Sequence, residues 1–181
     1  KESSAASDVY KRQEDILFTA RIKFDDERMG KLRPESLLNN QSLQNNLDRL
    51  RIDGGYDFGG IAMYERSLRS SPIKWKYVSG NTNERYKLII LRKGRGLAGT
   101  VMKTGKRMVI ADVDTALTQA EKIAFPIILN ESLTAVVAVP LWLEHQMYGV
   151  LLLGQRNHHP LPQSLEQLDI QSQIGFFTET N

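Results

Sequence analysis

The stretch that decides the fold is RKGRGLAGTVMKTGKRMVI, residues 92–110. Gly94, Gly96 and Gly99 fall close together in it, and an apolar run follows them. Closely spaced glycines favour a tight turn, because glycine adopts backbone conformations that other residues disfavour. We therefore predict a turn into a short helix that begins at GLAG and ends at Gly105, followed by a strand from Arg107.

Glycines beside basic residues are also typical of phosphate-binding loops, but the spacing here excludes two such loops. A Walker loop needs a Lys-Ser/Thr pair directly after its last glycine, whereas Gly99 is not adjacent to Lys103. A dinucleotide-binding fingerprint needs a parallel βαβ unit with an acidic residue after the helix, whereas the strand pattern here is antiparallel. The loop therefore does not predict a nucleotide site.

Helical and strand-like patterns alternate on both sides of this loop. The predicted elements before the glycine turn are a helix over 34–52, strands over 56–65 and 73–80, and a short strand or strand-like approach over 88–91. From the turn onward they are the short helix after Gly96, a strand over 107–113, a helix or broken helix over 115–128 with Pro126 near its end, a hairpin over 133–155 that turns at 143–147, and a terminal helix over 164–177 with Leu165, Leu168 and Ile174 on one face. This order predicts an α+β domain whose central antiparallel β-sheet is flanked by helices on its faces.

Two details of these elements concern side-chain positions. Alternation in IKWKYVSG predicts that Ile73, Trp75 and Tyr77 lie on one face of a half-buried strand. Asp112 and Asp114 end the following strand, and we interpret them as caps of the next helix rather than as catalytic groups.

Composition excludes several classes of function. The chain has 181 residues, 24 basic and 21 acidic, and a net charge of +3 without long basic runs, so the charge does not indicate a nucleic-acid-binding protein. There is no cysteine, which excludes disulfides, thiolate metal sites and cysteine nucleophiles and fits a cytoplasmic protein. The apolar run 133–139 is too short to span a membrane. We place His145, His158 and His159 on the surface rather than at a metal site, with metal binding as the minor alternative, and we expect no cofactor and no catalytic triad.

The N-terminus needs separate treatment. SSAASDVYKRQ resembles the translation of a transposase adapter used in sequencing libraries, so we interpret residues 1–13 as an adapter artefact. Residues 14–33 are then read-through or an N-terminal extension, with Met29 as the candidate start. A single domain is predicted over 34–181.

The residues outward from the loop resemble a known family. GRGLAGTVMKTGKRMVIADV and LTAVVAVPLWLEHQMYGVLLLG are similar to the GAF-domain pattern, in which a Gly-rich turn into a helix precedes a strand and a hairpin. Within that family, IKWKYVSGNTNERYKLIILRKGRGLAG with FPIIL resembles the NreA type of nitrate receptor. The resemblance covers about residues 37–177. It implies a GAF fold and a cytoplasmic nitrate receptor that is not an enzyme and that modulates an NreB-like sensor histidine kinase of a nitrate/oxygen-responsive two-component system.

The same resemblance implies which residues bind the anion. They are Trp75, the helix-start residues Leu97 and Ala98, and Phe125 and Ile127 from the aromatic-Pro-Ile segment. Phe125 departs from the family, which has tyrosine there, and so lacks one hydroxyl donor. The assignment agrees with the chemistry of a small anion, since a helix start offers free N–H groups and the positive end of a dipole, and an indole offers a flat wall and an N–H donor.

Each of these residues also has a purely structural interpretation. Trp75 suits a core position, the glycines suit turn geometry, and Phe125-Pro126 suits an apolar plug at a helix end. The alternatives to the nitrate receptor are therefore a GAF module for another small ligand, or a homodimer without ligand whose helices at 37–50 and 165–177 extend the dimer face. The GAF fold also hosts a free-methionine-sulfoxide reductase, but that chemistry needs cysteines, and this chain has none.

Overall fold

The computed structural model describes residues 40–65, 71–143, 145–162, 168–175 and 177–180. The predictions for residues 1–39, which include the adapter, Met29 and the first turns of the helix from Pro34, lie outside these ranges. So does Leu165 of the predicted terminal helix.

A five-stranded sheet forms the centre of the described chain. Its strands are β1 (Phe58–Tyr64), β2 (Ile73–Ser79), β3 (Met108–Ile110), β4 (Ala135–Leu143) and β5 (Gln146–Gln155). They lie in the order β2-β1-β5-β4-β3, and every neighbouring pair is antiparallel. The predicted α+β class with a central antiparallel sheet is confirmed.

Helices connect and cover these strands. They are α1 (Asn40–Asp53), a 3-10 helix (Arg85–Leu88), α2 (Gly96–Thr104), α3 (Val113–Ala116), α4 (Gln119–Ala124), α5 (Pro126–Asn130) and α6 (Ile170–Ile174). As predicted, α2 ends at Gly105, which adopts a left-handed conformation with φ of 67°. Asp112 caps α3 by accepting a hydrogen bond from the N–H of Asp114, so its predicted capping role is confirmed.

The two faces of the sheet pack against different helices. On one face, α1 packs against β1 and β2, and the approach is close, since a Cβ on Gly59 would lie 3.1 Å from Leu47 Cδ1. The terminal helix α6 packs beside α1. On the other face, α2 packs against β4 and β5 and contributes Leu97 and Ala98 to a buried apolar cluster, which we call the α2-side cluster. Its buried members are Phe58, Ala62, Ile73, Trp75, Ile89, Leu91, Leu97, Ala98, Val101, Met102, Ile110, Val113, Ile127, Ile128, Leu133, Val136, Ala138, Val150 and Leu152.

A β-bulge in β2 changes one predicted orientation. Ala62 pairs with Trp75 while Ile61 pairs with Tyr77, so Lys76 is the extra residue of the bulge. Opposite residues of an antiparallel pair share a face, and one inserted residue reverses the alternation that follows it. Trp75 therefore lies on the face of Ala62, and Tyr77 lies on the face of Ile61. The prediction that Tyr77 shares a face with Trp75 is wrong.

Two connecting segments also differ from prediction. Residues 88–91 do not form a regular strand, because Leu88 ends the 3-10 helix; the alternative of a strand-like approach holds for Leu91, which makes an isolated antiparallel bridge to Ile73. The broken-helix alternative for 115–128 is correct, but the segment forms three short helices, and Pro126 opens the last of them instead of lying near an end. Proline suits this first helical position because its missing N–H has no intrahelical acceptor there.

The terminal helix is shorter than predicted where it is described. α6 covers Ile170–Ile174, and both of its end residues are buried. Across the described ranges, no helix combines the length and apolar character needed to cross a membrane.

Candidate functional site

The glycine turn brings three stretches of backbone and side chain into close contact. A Cβ on Gly99 would lie 2.2 Å from the carbonyl oxygen of Arg92, and the N–H of Gly94 donates to the carbonyl of Gly99 at 2.6 Å. Gly96 has a φ of 69°, and a Cβ there would lie 2.7 Å from Leu91 Cδ2. The turn therefore requires glycine at positions where any side chain would push the start of α2 away.

The first turn of α2 is buried and has free donors. Leu97 is 1% exposed and Ala98 is fully buried. Within the described residues, neither N–H group has a hydrogen-bond acceptor, as expected for the first turn of a helix. Free N–H groups at the positive end of a helix dipole form a site that favours an anion.

Trp75 carries a second unsatisfied donor. Its side chain is 4% exposed, and its indole Nε1 is buried with no hydrogen-bond partner among the described residues. A Cβ on Gly60, on the neighbouring strand, would lie 3.1 Å from Trp75 Cε3, so this glycine makes room for the ring. Because a buried donor without an acceptor is costly, a bound acceptor at this indole N–H would be favourable.

Trp75 and the start of α2 lie close together in the fold. Ile73 is two positions before Trp75 on the same face of β2, and it exchanges backbone hydrogen bonds with Leu91 at 2.8 and 2.9 Å. The side chain of Leu91 in turn contacts Gly96, the first residue of α2. The first half of β2 is therefore adjacent to the helix start.

The segment around Pro126 contributes to the same cluster. Ile127 is 1% exposed and belongs to the α2-side cluster, and Phe125 is half-buried and packs against it. The N–H of Ile127, one residue after the start of α5, has no acceptor within the described residues. The structure thus brings all five predicted site residues, Trp75, Leu97, Ala98, Phe125 and Ile127, to one cluster.

The end of α5 is anchored by polar contacts that the sequence did not reveal. Glu131 is fully buried, and its Oε2 accepts hydrogen bonds from the N–H of Thr82 at 2.8 Å, from Thr82 Oγ1 at 3.1 Å and from Arg156 Nη2 at 2.9 Å. Arg156 Nε also donates to the carbonyl of Glu131 at 2.7 Å. Asn83 Nδ2 donates to the carbonyl of Asn130 at 2.7 Å. These contacts fix the helix that carries Ile127 to the loop after β2.

One acidic cluster near α3 is explained by protein contacts. Asp112, Asp114 and His158 have ligand atoms close together, but Asp114 Oδ1 already accepts a hydrogen bond from Lys122 Nζ at 2.6 Å. That hydrogen bond is the main cause that holds the pKa of Asp114 below its ordinary value. His158 is exposed, as are His145 and His159, in agreement with their predicted surface positions.

Comparison with known proteins gives the family. The sequence model of the GAF-domain family matches residues 40–175 of this chain. The chain belongs to the GAF-domain family. The predicted GAF fold is therefore confirmed, and the glycine turn before α2 and the hairpin of β4 and β5 lie within the matched residues.

Among solved structures, this GAF protein is similar to three from Staphylococcus aureus. A hypothetical protein is 68% identical, with a TM-score of 0.65 over 66% of this chain and 97% of the other. Two structures of NreA mutated in its nitrate-binding site are 63% and 67% identical, with TM-scores of 0.71 and 0.66. The first of these covers 76% of this chain and 99% of the other, and the second covers 68% and 91%. No curated protein matches the chain.

Proposed function

We propose that this GAF protein is a receptor for nitrate, bound by the N–H groups of Leu97, Ala98, Ile127 and Trp75 and packed against Phe125. The observation that carries the proposal is the buried indole N–H of Trp75, which has no acceptor among the described residues, while the first turn of α2, in the same cluster, offers two more free donors. The similarity to NreA, whose structures were solved with mutations in a nitrate-binding site, supports nitrate as the anion.

A monoanion suits these donors better than a phosphate. Neutral N–H groups can offset the desolvation of one delocalised charge, whereas a dianion generally needs cationic side chains in contact with it. Arg92, Lys93 and Arg95 lie on the surface beside the turn, and all three are exposed. We assign them a long-range role, since exposed cations raise the local concentration of anions without contacting the bound one.

Calorimetry tests the ligand directly. We expect heat of binding with nitrate, weaker binding of nitrite, and none of chloride, because chloride is spherical and cannot match donors arranged around a planar oxyanion. Titrations at constant ionic strength remove the general effect of salt on charged surfaces. If no oxyanion binds, the receptor proposal is wrong, and a ligand-free homodimer becomes the better account.

In this proposal, nitrate binding is reported through a partner protein. We infer that the protein acts in the cytoplasm, without catalysis of its own, and that the nitrate-bound and free states bind an NreB-like sensor histidine kinase of a nitrate/oxygen-responsive two-component system with different affinities. A ligand shifts such an equilibrium only through its differential affinity for the two states. Autophosphorylation of the kinase, measured with this protein present and nitrate added or omitted, tests the inference. Equal rates in both conditions would contradict it.

A further inference from the structure

Residues 85–95, which we call the basic segment, lead from the 3-10 helix to the start of α2. The segment contains five basic residues and no acidic one: Arg85, Lys87, Arg92, Lys93 and Arg95. It also exposes two large apolar side chains, Leu88 at 80% and Ile90 at 61%. Apolar side chains exposed between cations on one surface are typical of sites that bind other proteins.

The exposure of these side chains follows from a fixed backbone. Ile89 and Leu91 are 6% and 7% exposed and belong to the α2-side cluster. Leu91 is further held by two backbone hydrogen bonds to Ile73. Because the inward side chains alternate with Leu88 and Ile90, the segment presents these two side chains outward while its inner side is buried in the core.

The apolar part of this surface continues onto α5. α5 packs beside the 3-10 helix, and Leu129 on α5 is 48% exposed. The same helix carries Ile127, and the end of the basic segment leads directly into α2, which carries Leu97 and Ala98. The two helices that supply the free backbone N–H groups are therefore also the elements that border this surface.

We propose that the basic segment, together with Leu129, is the docking surface for a protein partner that presents an apolar recess bordered by carboxylates. Complementary charge steers such a partner to the surface, and Leu88 and Ile90 supply the apolar contact. A second copy of this chain does not fit, because a two-fold contact through the segment would place two surfaces of the same positive charge against each other. A single-stranded nucleic acid would need exposed aromatic rings for stacking, and the one aromatic residue of the segment, Tyr86, is half-buried. The inference rests on the proposed function, in which the partner is the sensor kinase.

Binding of a purified NreB-type sensor kinase to immobilised protein tests the docking surface. We expect Leu88→Ser/Ile90→Ser and Arg92→Glu/Lys93→Glu each to raise the Kd about ten-fold or more, since loss of apolar contact and charge reversal both act on the contact. The matched control, Arg49→Glu/Ile52→Ser, changes an exposed cation and an exposed apolar residue on α1, across the sheet. Its Kd should match that of the wild type. Binding of the wild type should weaken with added salt, and that dependence should be smaller in the charge-reversal variant.

The outcomes separate this inference from the nitrate proposal. Leu88→Ser/Ile90→Ser should bind nitrate with the affinity of the wild type, because neither side chain is among the anion-binding residues. The same variant should bind the kinase more weakly. If the wild type binds the kinase through the segment but binds no nitrate, the docking surface stands and the receptor proposal fails. The docking surface is overturned if the wild type does not bind the kinase, if the α1 control weakens binding as much as the segment variants, or if the wild type binds phosphatidylglycerol vesicles in place of the kinase.

Discussion

At the scale of single residues, Phe125 is the position where one more donor can be added to the proposed anion site. It is half-buried and packs against the α2-side cluster, and its ring carries no hydroxyl. We expect Phe125→Tyr to tighten nitrate binding roughly 2- to 10-fold, the range that one net hydrogen bond supplies. Calorimetry measures the change, with Phe125→Leu as a variant that adds no donor. Weaker binding in Phe125→Tyr would place the ring edge away from the anion.

Gly99 tests whether the backbone geometry of the turn is needed for binding. A methyl group there would lie 2.2 Å from the Arg92 carbonyl oxygen, and backbone cannot move aside as a flexible side chain can. We expect Gly99→Ala to displace the start of α2 and to weaken nitrate binding about ten-fold or more, because donors that shift by an ångström lose their acceptor.

Gly55 supplies the matched control for this substitution. It has a φ of 69°, and nothing lies within 4 Å of a Cβ added to it. Gly55→Ala should cost about 1–2 kcal/mol of stability from the left-handed backbone conformation alone and leave nitrate affinity unchanged. Loss of affinity in both variants would mean that Gly99→Ala acts through general stability and not through the site.

At the scale of elements, the position of α5 depends on the buried Glu131–Arg156 pair. The side chain of Glu131 is fully buried and that of Arg156 is 16% exposed. Removing one partner of a buried pair leaves the other charge uncompensated, so Glu131→Gln should lower the free energy of unfolding by about 3–5 kcal/mol in urea titrations. It should also weaken nitrate binding, because α5 carries Ile127.

The exposed pair Lys74–Glu65 provides the comparison. Its side chains are 36% and 41% exposed, and its Nζ–Oε1 distance is 2.6 Å. Lys74→Met should cost no more than about 1 kcal/mol, since exposed pairs are screened by water. If the two substitutions cost the same, Glu131 does not anchor α5 in the way that its hydrogen bonds indicate.

The elements also show what the sequence could predict. Strands and the hairpin follow from local alternation and turn residues, so β1, β2, β4 and β5 were predicted close to their observed bounds. The bulge at Lys76 was not predicted, because an extra residue is defined only by the pairing with β1. Glu131 was missed for a related reason: its partners Thr82 and Arg156 are 49 and 25 residues away, and a single acidic residue in a polar stretch carries no local signal.

The candidate site was predicted by resemblance and not by periodicity. Leu97 and Ala98 follow from the glycine turn, which marks a helix start, but Trp75 and Ile127 have the same pattern as ordinary core residues. The sequence does not show that the indole N–H has no acceptor among the described residues, because this depends on which acceptors the neighbouring strands leave available in the fold. The five residues nevertheless meet in one cluster.

At the scale of the whole molecule, the homodimer and the nitrate receptor would use surfaces on opposite sides of the sheet. α1 and α6 pack together on one face, and this is the face that a ligand-free homodimer would extend. The basic segment and α5 border the other side. Light scattering with and without nitrate separates the two accounts, since a dimer that is insensitive to nitrate and binds no oxyanion would favour the first.

One pair of substitutions tests whether the indole N–H of Trp75 donates to a bound anion. Trp142 also has a buried Nε1 without a partner among the described residues, but its ring lies against Gly105, at the C-terminal end of α2, where the helix dipole disfavours an anion. Trp75→Phe keeps an aromatic ring but removes the N–H donor. In nitrate titrations by calorimetry, this variant should have a Kd about ten-fold higher or more, since it loses a hydrogen bond to a charged group. Trp142→Phe should bind as the wild type does. Unchanged affinity in Trp75→Phe, or an equal loss in both variants, would contradict the account.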